Sequence, residues 1–202
     1  MARQRGHHRG RRGLQRRVNV RELRQRFLIV CEGEKTEPNY FDDLRVRGRI
    51  PGKVKGIGES PVGVVKHAIK LMKEHDYEQV WCVFDRDDFS VESFNAALQL
   101  ARNNGIRVAY SNEAFELWYV LHFNYHQSAT ARRLYVGMLN DLLGVPYEKD
   151  RLDMYERLEI RQETAIRNAE RLLKNYDPPD PARNNPSTTV HLLVQELNRF
   201  AV

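Results

Sequence analysis

The run Phe27-Leu28-Ile29-Val30-Cys31, followed at once by Glu32-Gly33-Glu34-Lys35, constrains this chain more than any other stretch. A short continuous apolar run closed by a charged turn reads as a strand buried on both faces, as in a parallel sheet. Gly33 allows a sharp turn where the strand ends. Glu32 then stands at the carboxyl end of a central strand, which is where open α/β sheets place their ligands. The alternative is a charged surface turn after a core strand, and this stretch alone does not separate the two.

The pattern repeats along the chain. Thr36 is placed to cap a helix with Tyr40, Phe41 and Leu44 on its apolar side. A short strand is expected near 54–57. Ser60-Pro61 pairs a cap with proline at the first helical position, opening a helix to about Glu74. Gln79 to Phe84 is a second buried strand, ending in Asp85-Arg86-Asp87-Asp88. Ser90 caps the next helix and Gly105 stops it. Ile106 to Tyr110 is another strand, and Asn112 is expected to cap a helix reaching Phe123. Strands alternating with helices at this spacing predict an α/β fold with a mainly parallel central sheet flanked by helices.

From about residue 128 the character is helical. Leu134, Met138 and Leu142 share one face of a helix ended by Gly144-Val145-Pro146, and a longer helix is expected over 157–176. Asn185-Pro186 is read as the start of a last helix whose inner face is Val190, Leu193, Val194 and Leu197. The expected division is a basic, disordered arm over 1–25, an α/β domain over 26–127, and a helical C-terminal extension over 128–202 packed on it.

Charge is unevenly placed. The 202 residues carry a net +6, but residues 1–26 hold ten arginines against one acid (Glu22), so the remainder is mildly acidic at −3. Such an arm, with Arg11, Arg12, Arg16 and Arg17 at its centre, attracts phosphates in a salt-dependent way. A solvated extension is the bland alternative. The arginine-rich start has no apolar segment, so no secretory signal is expected, and no apolar run approaches the roughly 20 residues of a membrane span. Cys31 and Cys82 both fall in expected strands. Two buried thiols suit a reducing compartment, so the cytoplasm is the expected location.

Two buried strands thus end in acids, Glu32 on one and Asp85 with Asp87 on the other. Residues i and i+2 of an extended segment point the same way, roughly 6.5–7 Å apart, so both aspartates could approach one cation, joined by Glu32 if the strands are neighbours. Like charges at about 4 Å repel by roughly 4 kcal/mol at an effective dielectric near 20. A hard cation with oxygen ligands, typically magnesium with manganese as a substitute, relieves that cost and opens phosphoryl chemistry. The alternative is a solvated turn with local salt bridges. The two isolated cysteines and scattered histidines lack zinc-ligand spacing. Glu116 sits in Phe115–Phe123, a segment apolar almost all round. Such a buried acid needs a partner, either the metal site or an arginine or helix amide.

Four segments carry a resemblance. Cys31-Glu32-Gly33-Glu34-Lys35-Thr36-Glu37-Pro38-Asn39-Tyr40-Phe41 and Val83-Phe84-Asp85-Arg86-Asp87 resemble the two acidic motifs of the TOPRIM domain. That domain is shared by topoisomerases, bacterial primases, ribosomal-RNA maturases and OLD-type nucleases. Together with Ser111-Asn112-Glu113-Ala114-Phe115-Glu116-Leu117-Trp118 and Asn185-Pro186-Ser187-Thr188-Thr189, they resemble the RloB family over nearly all of the body. The resemblance implies a TOPRIM-like fold, with Glu32 as general acid or base and Asp85 and Asp87, joined by Glu32, as magnesium ligands. Glu37, Asp88 and Glu116 are the further acids that a second metal would call on. Lys35 is either a phosphate contact or a turn lysine; the glycine spacing of a P-loop is missing around it.

The resemblance further implies a nuclease of phage-defence and restriction loci, acting on DNA or RNA, with transfer RNA among the candidates. Its partners would be nucleic acid and an ATPase of the AAA or ABC type, with a homo-oligomer left open and no membrane. A non-catalytic nucleic-acid-binding subunit regulating such an ATPase is the alternative from another class. A haloacid-dehalogenase-type phosphatase, with Asp85 as nucleophile, is a third; Phe89 stands where that family has threonine or valine.

Overall fold

The computed structural model describes residues 27–202. The arm, and with it Arg11, Arg12, Arg16 and Arg17, lies outside the described residues.

Strand β1 (Phe27–Cys31) is completely buried along its length. Side chains alternate across a strand, and here each set enters a different core. Phe27, Ile29 and Cys31 join one apolar cluster, whereas Leu28 and Val30 join another on the opposite face. That is why the run is continuously apolar rather than alternating. On the first face lie helix α1 (Thr36–Arg47) and helices from the C-terminal part; on the second lie α2 (Pro61–Glu74) and α3 (Val91–Asn103).

β2 (Gly52–Gly56) and β3 (Gln79–Asp85) flank β1, and β4 (Arg107–Asn112) follows, all parallel. A short β5 (Ser187–Thr188) pairs antiparallel with the end of β4, giving the order β2-β1-β3-β4-β5. The fold is α/β with a mostly parallel five-stranded sheet flanked by helices. From β1 the chain passes to β2 on one side, then returns to β3 on the other. The loops after β1 and β3 therefore diverge to opposite faces and leave a crevice between them, the topological switch point of an open sheet.

Local expectations hold where the signals are strong. Ser60 and Ser90 accept from the amides of Gly63 and Ser93, capping α2 and α3. Val190, Leu193, Val194 and Leu197 are fully buried in α8 (Val190–Asn198). Other expectations are corrected. Thr36 does not cap α1; it lies inside the helix and its hydroxyl donates to the Lys149 carbonyl at 2.9 Å. Asn112 is the last residue of β4, not a helix cap, because strand pairing carries on past Tyr110; α4 is only Glu116–Leu121. The helix expected over 157–176 is instead α6 (Met154–Leu158), a 3-10 turn and α7 (Gln162–Leu173). Apolar spacing runs on through that break, so periodicity reads it as one helix. In α5 (Arg132–Leu143) the buried residues are Tyr135 and Leu139, with Leu134 exposed.

The C-terminal part does more than lie on the sheet. Asn185-Pro186 leads into β5 rather than into a helix, and Ser187 and Thr188 are buried. Thr188 Oγ1 donates to the Tyr110 carbonyl at 3.0 Å, and Thr189 Oγ1 accepts from the Tyr110 amide at 3.0 Å. These hydroxyls satisfy the edge of β4, as buried polar groups must be satisfied. Tyr135, Leu139, Leu172 and Leu193 share one core with Phe27, Tyr40 and Trp118. Among the described residues, no helix is long and apolar enough to cross a membrane.

Candidate functional site

Glu32 and Asp85 meet at the switch point. The Glu32 amide donates to the Val83 carbonyl at 2.8 Å, and the Glu32 carbonyl accepts from Gly58 at 2.9 Å, so the backbone just beyond β1 is held from both sides. Its carboxylate accepts from the Asp85 amide at 3.0 Å. Asp85, the last residue of β3, is 6% exposed; its Oδ2 accepts from the Phe115 amide at 3.0 Å, while its buried Oδ1 has no hydrogen-bond partner.

Two more acids line the same cleft, which has a volume of about 510 Å³. Glu37, on the first turn of α1, is buried and accepts from the Gly33 amide at 3.3 Å. Glu116 opens α4, accepts from the Tyr147 hydroxyl at 3.2 Å and lies 3.7 Å from Lys149 Nζ. The remaining lining includes Glu34, Lys35, Gly58 and Arg132. Gly33 does not have a positive φ. A β-carbon there would overlap the Glu37 carboxylate, which would have to move to make room. Gly56, at the end of β2, packs as closely against the Gly33 carbonyl.

Crowded carboxylates in a poorly solvated cleft hold protons. Burial, then the charges of Glu37 and Asp87, push Glu32 up to about 7, against the opposing pull of its bond from Asp85. Burial, followed by Glu37, Glu32 and Glu116, raises Asp85 well above the usual carboxylate range. Glu37 is raised by burial and by Glu116.

Among the acids expected from sequence, the fold thus brings Glu32, Glu37, Asp85 and Glu116 to one cleft. Asp87 stands outside its lining: the residue has φ +37°, its amide donates to the Glu113 carbonyl, and its carboxylate is ion-paired with Arg132. The extended geometry that would aim Asp85 and Asp87 the same way ends at Asp85, the last strand residue. Asp88 is exposed and likewise outside the lining. Lys35 is at the cleft mouth, 64% exposed, 3.7 Å from Asp150. Arg132, Tyr147 and Lys149 carry no motif. They come from the C-terminal part and reach the site only through tertiary packing.

Among the described residues, no group of three or more His, Cys, Asp and Glu side chains forms a ready-made metal site. The donor chemistry nevertheless fits a hard cation. Asp85 presents a buried oxygen without a partner beside the carboxylates of Glu32, Glu37 and Glu116, and a divalent ion relieves the repulsion among them. Asp85 would be the nucleus of such a site, with Glu32, Glu37 and Glu116 as the carboxylates around it.

A family model described as RloB-like protein matches residues 27–197. No curated protein and no solved structure matches the chain.

Proposed function

This chain belongs to the RloB-like family, and on that premise we propose that its cleft is the centre of a magnesium-dependent nuclease of TOPRIM type, cleaving phosphodiester bonds of DNA or RNA. The observation carrying this reading is the Glu32–Asp85 pair at the carboxyl ends of adjacent parallel strands, with Asp85 Oδ1 buried and unpartnered. A carboxyl titrating near 7 suits general acid–base work at neutral pH. Glu32 takes a proton from the attacking water when ionised, or delivers one to the leaving oxygen when protonated. Asp85, with Glu37 or Glu116, would hold magnesium, which when bound stabilises charge on the phosphoryl oxygens. Arg132, Lys149 and Lys35 offer cations to the non-bridging oxygens of a phosphate in the cleft. Transfer RNA as substrate, an ATPase partner and a role in phage defence extend the reading on the strength of the motif resemblance.

One observation favours the non-catalytic reading, in which the chain binds nucleic acid as the regulatory subunit of an ATPase: Asp87 is occupied by Arg132 rather than facing the cleft. A cleavage assay separates the two. The full chain is incubated with labelled DNA and RNA and magnesium, with and without an ATPase partner, alongside Glu32→Gln and Asp85→Asn. Chelator-sensitive cleavage is expected in the wild type, lowered roughly 10²–10⁴-fold by Glu32→Gln, the usual contribution of a general acid or base. Cleavage undiminished in folded Asp85→Asn would overturn the proposal, and a wild type that binds but never cleaves would leave the regulatory reading.

A further inference from the structure

The outer edge of the sheet carries a positive surface that the cleft chemistry does not use. β2 is the edge strand, and its Lys53 and Lys55 pair in register with Leu28 and Val30. Those partners belong to the α2 side of the sheet, so both lysines face α2. There Lys55 Nζ lies 2.9 Å from His67 Nε2. Lys70 adds to the charge around that imidazole, which burial, then Lys55 and Lys70, hold below the usual histidine range. Glu59 and Glu74 act in the opposite sense but more weakly. Lys66, Lys70 and Lys73 recur at i, i+4 and i+7 on α2 and are exposed.

Among the described residues, none of Lys53, Lys55, Lys66, Lys70 and Lys73 pairs with a carboxylate. The surrounding body is mildly acidic, so this concentration runs against the overall balance. It also has a direction. β2 ends at Gly56 against the Gly33 turn, and Gly58 lines the cleft. A polyanion lying along β2 and α2 is thus led to the mouth of the site holding Glu32 and Asp85.

We propose that Lys53, Lys55, His67 and Lys70, flanked by Lys66 and Lys73, form a phosphate-backbone track that guides a nucleic-acid strand into the cleft. The proposal rests on the nucleic-acid side of the function above and gives its substrate an entry path. The lysine contacts are charge on phosphate and carry no sequence information, so the track positions a strand without choosing its sequence, with His67 holding Lys55 in place. Each phosphate neutralised contributes about 0.7 to 0.9 to the slope of log affinity against log salt.

The test is fluorescence anisotropy with labelled single-stranded and duplex oligonucleotides across a salt series. It compares the full chain with Lys53→Ala/Lys55→Ala/Lys70→Ala, both in an Asp85→Asn background so that binding is read without turnover. The arm is common to both chains, so its contribution cancels in the comparison. Arg157→Ala/Arg167→Ala/Lys174→Ala, on and just beyond the helices of the opposite face, removes the same charge as a control. The track variant is expected to lose at least tenfold in affinity at low salt, with a slope about 2 to 3 shallower, while the control moves far less. Affinity and slope unchanged in the track variant, or lowered equally in the control, would overturn the track. A failed nuclease assay combined with the expected slope change would leave the track standing and remove only the catalysis.

Discussion

Glu32→Gln should make the protein less sensitive to rising pH, and the structure sets the size of the effect. The Glu32 carboxyl titrates near 7 in the folded chain against 4.5 as its ordinary value. A group whose folded value is raised favours the folded state while protonated and loses that contribution as pH climbs through the window between the two values. At about 1.36 kcal/mol per pH unit between the two values, the loss amounts to roughly 3 kcal/mol; it has barely begun below pH 4.5 and is nearly complete above pH 7. Glutamine stays neutral and keeps a side-chain oxygen to accept from the Asp85 amide. Urea unfolding in chelator-containing buffer at pH 5 and pH 8 reads the difference. The wild type should lose about 2.5 kcal/mol more than the variant over that span, since the first part of the loss falls below pH 5. Parallel losses would refute the argument that burial and neighbouring carboxylates hold a proton on Glu32.

Gly33→Ala forces the Glu37 carboxylate out of its place against the turn and breaks the bond from the Gly33 amide. It should cost about 1–3 kcal/mol by overpacking and lower turnover; a variant with wild-type stability and cleavage would show that Glu37 has room to move. Leu193→Ala removes a fully buried side chain from the core that α8 shares with β1, α1 and α4. It should cost about 2–5 kcal/mol and lower one common melting transition, whereas two separated transitions would show that the C-terminal part unfolds independently.

The sheet was legible because burial on both faces writes a continuous apolar run, as in β1 and β3, and the acids after those runs fall at strand ends by simple counting. The serine caps were legible because their signal is local. β5 was not, because two polar residues have no period, and their burial is possible only through hydroxyl bonds to β4 that a sequence does not display. Asp87 illustrates the limit of local geometry. An Asp-x-Asp aims both acids together only while the chain stays extended, and here it turns immediately after Asp85. Arg132, Tyr147 and Lys149 were invisible for a different reason: each is distant in sequence from the acids it meets, and none sits in a recognisable motif. Glu116, a buried acid in an apolar segment, needs a partner, and the fold supplies the Tyr147 hydroxyl and Lys149, of which Lys149 lines the cleft.

The central claim is that the carboxylates around Asp85 gather a divalent ion. Calorimetric titration of the wild type and of Asp85→Asn with manganese, each with and without an oligonucleotide, tests it most directly, with thermal melts to confirm both folds. The account predicts binding in the wild type, strengthened by the oligonucleotide, and its loss in a folded Asp85→Asn. Equal binding by both proteins, or none by the wild type even with an oligonucleotide present, would contradict it.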